Sequence, residues 1–466
     1  MGKGISSHIR KIHPLAVPRI NGFKPKREVM LIFLPQRALV IATEYFEGLA
    51  LFESLKGRRT MNSKGKTSQF AVCLVLFALL MAFPLAAQSK DKIIIGEAAS
   101  LSGPLGPSHG FVSAPYYDFW IKDVNAKGGI YVKEYGKKLP IELKVYDDKS
   151  DIGTMTRLME KLILEDKVDF LLPPWGTAMH FAAAPVANKH GYILIGGAAG
   201  AMKLKDFGAD LPYYFQTLNF AETQVPALAD ILEELNVKRV AAICHDDLHG
   251  AENREAAVLE LPNRGIDVVM SKSYPMGVKD LSLMLKQAKS LNADAFIGFS
   301  YPDEVMLATA QALELGMNYK VFAFTVGPAF TFYPGAFGPA AEGVIGGGAW
   351  NEKSSAGAKE FSEHFKEVMG QPMGNYWGAL TWYSALQHFQ KCIEKAGTLD
   401  QKKIRDVMAT EKFDTALGPF WYDERRIFVN HPGNWGQWQK GIFEVIDPGE
   451  KRTAPPIVKP NWPKKK

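Results

Sequence analysis

The sequence predicts an α/β protein built as two doubly wound lobes. Three observations point there. First, the stretch 91–151 spells a complete βαβ unit: an apolar strand Ile93-Ile-Ile-Gly-Glu-Ala-Ala, a Ser/Gly/Pro loop, a helical run closed by Gly128-Gly129, and a return strand Ile141-Glu-Leu-Lys-Val-Tyr-Asp-Asp. Second, strand-length and helix-length runs go on alternating to about residue 325, in two successive sets. Third, a chain of 466 residues suits two or three domains, not one.

The net charge of +6 is unevenly placed. Residues 1–60 hold eleven Lys/Arg against four Asp/Glu, a net of +7, and 61–87 add two lysines, so the remainder is +6 − 7 − 2 = −3. A mildly acidic body argues against a nucleic-acid partner, which needs a basic face. Within 61–87, Lys64 and Lys66 precede the apolar run 70–83, and Pro84-Leu-Ala-Ala-Gln offers a small-residue exit after Ala87. That is the layout of a secretory signal peptide; the alternative is a membrane anchor, for which the run is short against the ~20 apolar residues of a span. No cysteine follows the exit, which argues against a lipid anchor. Met61 reads as the start of translation and 1–60 as an upstream translation artefact, the alternative being a genuine disordered extension. Cys73 leaves with the signal; Cys244 and Cys392 read as two buried free thiols or as one disulfide.

Along the mature chain the periodicity predicts a strand at 141–146, a helix at 154–165, a strand at 170–172, a helix at 178–189, a strand at 192–195 and a crossing strand at 213–217. The second set follows: helix 223–235, strand 240–244, helix 253–261, strand 267–271, helix 281–290, strand 295–299, helix 305–315 and strand 321–325. After Gly343-Val-Ile-Gly-Gly-Gly-Ala-Trp come helices at 358–369, 376–396 and 401–409, then strands at 420–427 and 435–446. The proline-rich end from Ala454, closed by three lysines, reads as a surface wrap or a disordered tail.

Ser102-Gly-Pro-Leu, Asn125-Ala-Lys-Gly-Gly-Ile and the Asp147-Asp148 strand end resemble the periplasmic solute-binding proteins of the branched-chain amino-acid type, over essentially all of 91–450. The resemblance implies a type I periplasmic binding protein fold: two lobes joined by a three-crossover hinge near Leu218, Gly346 and Gly418. Residues 88–217 and 349–418 then form lobe 1, 218–348 and 419–453 lobe 2, and 454–466 the tail. It also implies a monomeric periplasmic protein that binds a small-molecule ligand without a cofactor and delivers it to an ABC permease in the inner membrane.

In such sheets ligands sit at the C-terminal strand ends. The loop Leu101-Ser-Gly-Pro-Leu-Gly-Pro-Ser-His-Gly is stiffened by two prolines, and the family often carries a ligand-covering aromatic at the position of His109; otherwise His109 is a solvent-exposed neighbour of a helix cap. The loop Pro173-Pro-Trp-Gly-Thr-Ala enters a helix, where Thr177 reads as the N-cap and, with the Gly176 and Ala178 amides, as the holder of a carboxylate. The alternative is a plain capping threonine. Trp175 reads as a pocket wall or as a core residue. In Gly196-Gly-Ala-Ala-Gly-Ala the family places a hydroxyl that helps hold the ligand's ammonium, but Ala198, Ala199 and Gly200 carry none. His249-Gly250 stands where the family has Tyr-Gly, and His245, His249 and two aspartates lack a metal-ligand spacing. Tyr301 reads as a ligand cover or as core. The acidic residue expected near Val326 is missing, with Asp246, Asp247 or Asp303 as substitutes from a neighbouring loop. Phe330 and Phe332 line the cleft or pack within the lobe.

No GxSxG, HExxH, P-loop or spaced carboxylate pair is present. The sequence therefore favours a binding protein over an enzyme or sensor on the same scaffold. Without the ammonium's usual partners, it favours a small carboxylate, such as an aromatic one, or a neutral amide-like solute, over leucine, isoleucine or valine.

Overall fold

The computed structural model describes residues 90–463, apart from position 349; the signal segment 61–87 and the extension 1–60 lie outside the described residues. The chain opens with β1 (Ile93–Ala99), α1 (Gly106–Val112), α2 (Ala114–Ala126), the hairpin β2 (Ile130–Val132) and β3 (Lys137–Leu139), β4 (Ile141–Asp147) and α3 (Ile152–Leu164). It continues through β5 (Phe170–Leu171), α4 (Thr177–Lys189), β6 (Leu194–Gly196), α5 (Phe207–Asp210) and β7 (Tyr214–Gln216). The second set is α6 (Ala221–Glu234), β8 (Arg239–His245), α7 (Leu248–Asn263), β9 (Asp267–Tyr274), α8 (Ser282–Ser290), β10 (Ala295–Phe299), α9 (Pro302–Glu314), β11 (Val321–Phe324), α10 (Phe332–Phe337) and β12 (Ile345–Gly347). Then come α11 (Ala356–Met369), α12 (Ala379–Ala396), α13 (Gln401–Thr410), the hairpin β13 (Phe413–Thr415) and β14 (Gly418–Phe420), β15 (Trp435–Gln439) and β16 (Ile442–Asp447).

Aspartate caps set three helix starts. The Asp151 carboxylate accepts from the Thr154 amide at 2.7 Å and starts α3; Asp400 does the same for α13 through Lys403, at 2.9 Å. The helix α3 then buries Met155, Met159, Leu162 and Ile163, an i, i+4, i+7, i+8 stripe that faces β1.

Two sheets carry the architecture. One is a parallel ladder in the order β4-β1-β5; the pair β6-β7 runs parallel as a separate ladder. The other has seven strands in the order β16-β15-β12-β11-β10-β8-β9, parallel from β9 to β12 and antiparallel at β15 and β16. In each, the first strand is flanked by the second on one side and the third on the other. That reversal of strand order is the doubly wound pattern, and it makes a switch point between β1 and β5 and another between β8 and β10. The helix α12 returns to the first lobe, where the Phe389 ring meets Phe170 at 5.0 Å; β15 and β16 return to the second.

The connection between lobes runs through β7. Gln216 pairs in parallel with Ile427, and the Thr217 hydroxyl lies 3.1 Å from that of Tyr422. Gly346 sits inside β12, and Gly418 opens β14.

The predicted strand at 420–427 is interrupted. After Phe420 the chain turns at Asp423, whose carboxylate accepts from the amides of Arg425 (2.9 Å) and Ile427 (2.8 Å). An aspartate bonding its own downstream amides is a turn former, and it overrides the apolar residues on either side. The proline-rich end is an ordered strap on the second lobe: Trp462 is buried against Phe322, its indole N–H donates to the Met317 carbonyl, and the Lys459 amide donates to Lys320 at 2.8 Å. Cys244 and Cys392 are both free and buried.

Candidate functional site

The loops that leave the two switch points meet. From the first lobe comes the loop between β5 and α4. Gly176 (φ +98°), not Thr177, takes the N-cap position, and Thr177 is the first helical residue. The backbone there needs a left-handed conformation that glycine adopts without strain, so the cap falls one residue before the threonine. The Thr177 hydroxyl is turned inward, accepting from the Gly200 amide at 3.4 Å.

From the second lobe comes Tyr301, the N-cap residue of α9. The Thr177 amide donates to the Tyr301 hydroxyl at 3.3 Å, and that hydroxyl donates to Asp247 Oδ2 at 2.9 Å. The Tyr301 ring stacks on His249 (5.4 Å between centroids, 12° between planes), meets His245 edge-on at 4.2 Å and leans on Trp175 at 5.7 Å. Burial first, and the Asp247 charge second, push the Tyr301 phenol well above its ordinary range, so it is a neutral donor and acceptor. Trp175 is buried and continues the aromatic row to Trp377 at 5.8 Å, and Trp377 meets Trp382 at 5.3 Å.

Asp247 is both a cap and a site residue. Its Oδ1 accepts from the Gly250 amide at 3.1 Å, at the start of α7. Gly250 has no room for a side chain: an added Cβ would lie 2.1 Å from the His245 carbonyl oxygen. His249 Nε2 lies 3.0 Å from the Thr325 hydroxyl, and burial lowers its imidazole to about 4. Asp247 thus brings an acid to the cleft from the β8 loop, where the β11 loop around Val326 offers none.

His109 is buried, not solvent-exposed, in the last turn of α1. Its Nε2 lies 3.7 Å from Oε1 of Glu97 on β1. Ala198 and Ala199 are buried beside the start of α4, but the Ala199 carbonyl is taken by the Gln216 amide at 2.5 Å. Phe330 lies apart from Tyr301: it stacks on Phe332 at 5.3 Å, and Phe332 reaches Phe111 of α1 at 5.2 Å. Between the lobes, a cavity of about 500 Å³ is lined by Gly103, Pro104 and Pro107 on one side and Met276, Lys279 and Asp303 on the other.

Sequence reasoning passed over Glu97, His180 and Trp377. Glu97 carried a signal, being a lone charge in an otherwise apolar buried strand. His180, whose Nδ1 lies 2.9 Å from the Gly176 carbonyl, carried none. Among the described residues no group of three or more His, Cys, Asp or Glu is arranged to hold a metal ion, and no helix is long and apolar enough to cross a membrane.

Residues 92–441 match the periplasmic binding protein family. A leucine-, isoleucine-, valine-, threonine- and alanine-binding protein of Pseudomonas aeruginosa is 23% identical over 353 residues, 76% of this chain and 91% of the relative. Two solved structures share the fold. One is the branched-chain amino acid transporter substrate-binding protein LivJ from Streptococcus pneumoniae in complex with isoleucine (19% identity, TM-score 0.64, covering 79% of this chain and 100% of that one). The other is a solute-binding protein of an ABC transporter from Rhodopseudomonas palustris in complex with 3,4-dihydroxybenzoic acid (21% identity, TM-score 0.64, 80% and 99%). With a doubly wound fold in each lobe, facing switch points and a family match over most of its length, this chain belongs to the periplasmic binding proteins.

Proposed function

We propose that the chain is the extracytoplasmic solute-binding component of an ABC importer, capturing a small carboxylate or amino-acid-like solute between its lobes by hinge closure. The observation that carries this reading is the meeting of Thr177 and Tyr301 across the facing switch points. The amides at the start of α4 (Gly176, Ala178, and Thr177, whose partner here is the Tyr301 hydroxyl) favour an anion by charge and by hydrogen bonding. The Tyr301 hydroxyl stands where a ligand carboxylate would be received. Trp175, His249 and Tyr301 supply flat walls, and Asp247 is placed to take a ligand ammonium, which brings amino acids back beside unsubstituted and aromatic carboxylates. The ligands of the two structural relatives, isoleucine and 3,4-dihydroxybenzoic acid, are both small carboxylates.

In this reading 88–217 with 349–418, and 218–348 with 419–453, are the rigid bodies. The strand pair around Gln216 and Ile427 is the hinge. The protein works as a monomer that docks on its permease when closed. The segment 61–87 directs export and is removed before Gln88, which N-terminal sequencing of the exported protein checks. Mass spectrometry of solute released from the purified protein, with a thermal-shift panel of leucine, benzoate and 4-hydroxybenzoate, tests the ligand class. A purified protein that releases no carboxylate and shifts with none overturns it.

A further inference from the structure

Among the described residues, Oε1 of the buried Glu97 has no hydrogen-bond partner. Glu97 lies on β1, the central strand of the first sheet, just past the point where β5 leaves: the Leu172 amide donates to Gly96 at 2.9 Å, and the β1–β5 register ends at Gly96 and Leu171. Glu97 is therefore the first β1 residue beyond the pairing with β5, on the strand that leads into the loop and helix carrying His109. Glu97 and His109 are each only 2% exposed. Their nearest atoms, Oε1 and Nε2, are 3.7 Å apart, too long for a hydrogen bond. Glu97 Oε1 and His109 Nδ1 have no hydrogen-bond partner. The Trp175 indole nitrogen in the neighbouring loop lacks one too. Tyr117, also of the first lobe, ties this corner to that loop through a 3.5 Å contact from its hydroxyl to the Pro173 carbonyl.

Buried polar atoms are nearly always paired, and an unpaired one costs free energy that folding alone gives no reason to accept. With the imidazole proton on Nε2, toward Glu97, both Glu97 Oε1 and His109 Nδ1 are acceptors. Resting on the carboxylate reading above, we propose that Glu97 and His109 form a second polar subsite of the cleft, which receives a hydrogen-bond-donating group of the solute while the α4 amides receive its carboxylate. Burial, with a smaller contribution from Asp148, raises Glu97 to about 8, and burial lowers His109 to about 4. The pair is thus uncharged in the neutral range and accepts a hydroxyl without a counter-charge; an ammonium draws the proton off Glu97 on binding.

Two pairs of probes test this, each sharing a carboxylate and differing in the donor: benzoate with 4-hydroxybenzoate, and 4-methylpentanoate with leucine. Titration calorimetry is run on the wild type, Glu97→Met and Glu97→Gln. The wild type is expected to prefer the donor-bearing member of at least one pair by about tenfold or more, the worth of one hydrogen bond to a polar or charged group. Glu97→Met should erase that preference, leave the donor-free member within a few-fold of wild type, and melt higher than wild type without ligand. Glu97→Gln should keep part of the preference, since its amide oxygen still accepts. A preference that survives in Glu97→Met, or a ligand-free Glu97→Met that melts lower, overturns the subsite and leaves the carboxylate reading standing. A wild type that binds none of the four overturns both.

Discussion

The hydroxyl of Tyr301 and the main-chain nitrogen of Thr177, 124 positions apart in sequence, are hydrogen-bonded at 3.3 Å and join the two lobes at the base of their cleft. The same hydroxyl donates to Asp247, so one oxygen satisfies a helix-terminal amide of one lobe and a carboxylate of the other.

Tyr301→Phe removes that oxygen and leaves both partners short of a bond. A lost hydrogen bond with a buried partner costs about 1–3 kcal/mol. The expected outcome is a urea unfolding midpoint lowered accordingly in the ligand-free protein. An unchanged midpoint means that the two lobes do not meet through this contact in solution.

Thr177→Val keeps the shape of the side chain and removes the acceptor that holds the Gly200 amide at 3.4 Å. The start of α4 loses its orientation toward a bound anion. For whichever of leucine, benzoate and 4-hydroxybenzoate the wild type binds, affinity should fall about tenfold, with fold retained by circular dichroism. Calorimetry giving the wild-type constant takes the Thr177 hydroxyl out of the site.

Gly250→Ala places a methyl 2.1 Å from the His245 carbonyl oxygen, so the β8 loop must shift. Overpacking of this kind costs about 1–3 kcal/mol. Because the shift moves Asp247 and His249 together, ligand affinity should fall along with the melting temperature. A variant that melts lower but binds normally separates the loop from the cleft.

Acid should destabilise the fold from pH 6.5 downward. Burial lowers His109, His180, His249 and His388 each to about 4, and His431 to about 3, from 6.5. Between those values the unfolded chain holds protons that the folded chain refuses, so stability falls as pH drops, by about 1.4 kcal/mol per pH unit for each proton. Glu97 has the opposite sign: its folded value of about 8 against 4.5 means stability declines as pH rises across that window. Five protons outweigh one below 6.5, so melting temperature should peak near neutrality and drop steeply on the acid side. Replacing His180 with Gln should make the acid limb shallower; an identical slope in that variant rejects the assignment.

Trp462→Ala should lower stability by about 3 kcal/mol, the low end for a buried tryptophan, because the strap lies at the surface and can relax. Denaturant unfolding measures it. A loss under half a kilocalorie shows the strap to be dispensable.

Much of the fold was legible because both lobes are built from strongly periodic segments. The strand at 295–299 falls where it was expected, and β8, β9, β11, α4 and α13 fall within a few residues. The hairpins β2–β3 and β13–β14 were missed, since three-residue strands show no period to read. The interruption at Asp423 was missed because flanking aromatics outweighed one turn-forming carboxylate. At the site, loop position alone brought Trp175, Gly176, Thr177, His249 and Tyr301 together. Exposure was the harder quantity: His109 was read as either ligand-covering or solvent-exposed, and the packing of α1 under its own proline-rich loop, which buries it, leaves no mark on sequence. Phe330 was read as lining the cleft or packing within the lobe, and its buried ring stacks with Phe332.

The second sheet takes β15 and β16, together with the strap that ends at Trp462, from the far end of the chain. Its edge therefore stays open until residues 435–462 have joined the strands β8 to β12. An unfinished sheet cannot lock, and a lobe lacking its edge has little to hold it against unfolding. The ordering of strands thus makes stable folding of this lobe wait on β15 and β16, which follow β12 only after three helices and a hairpin.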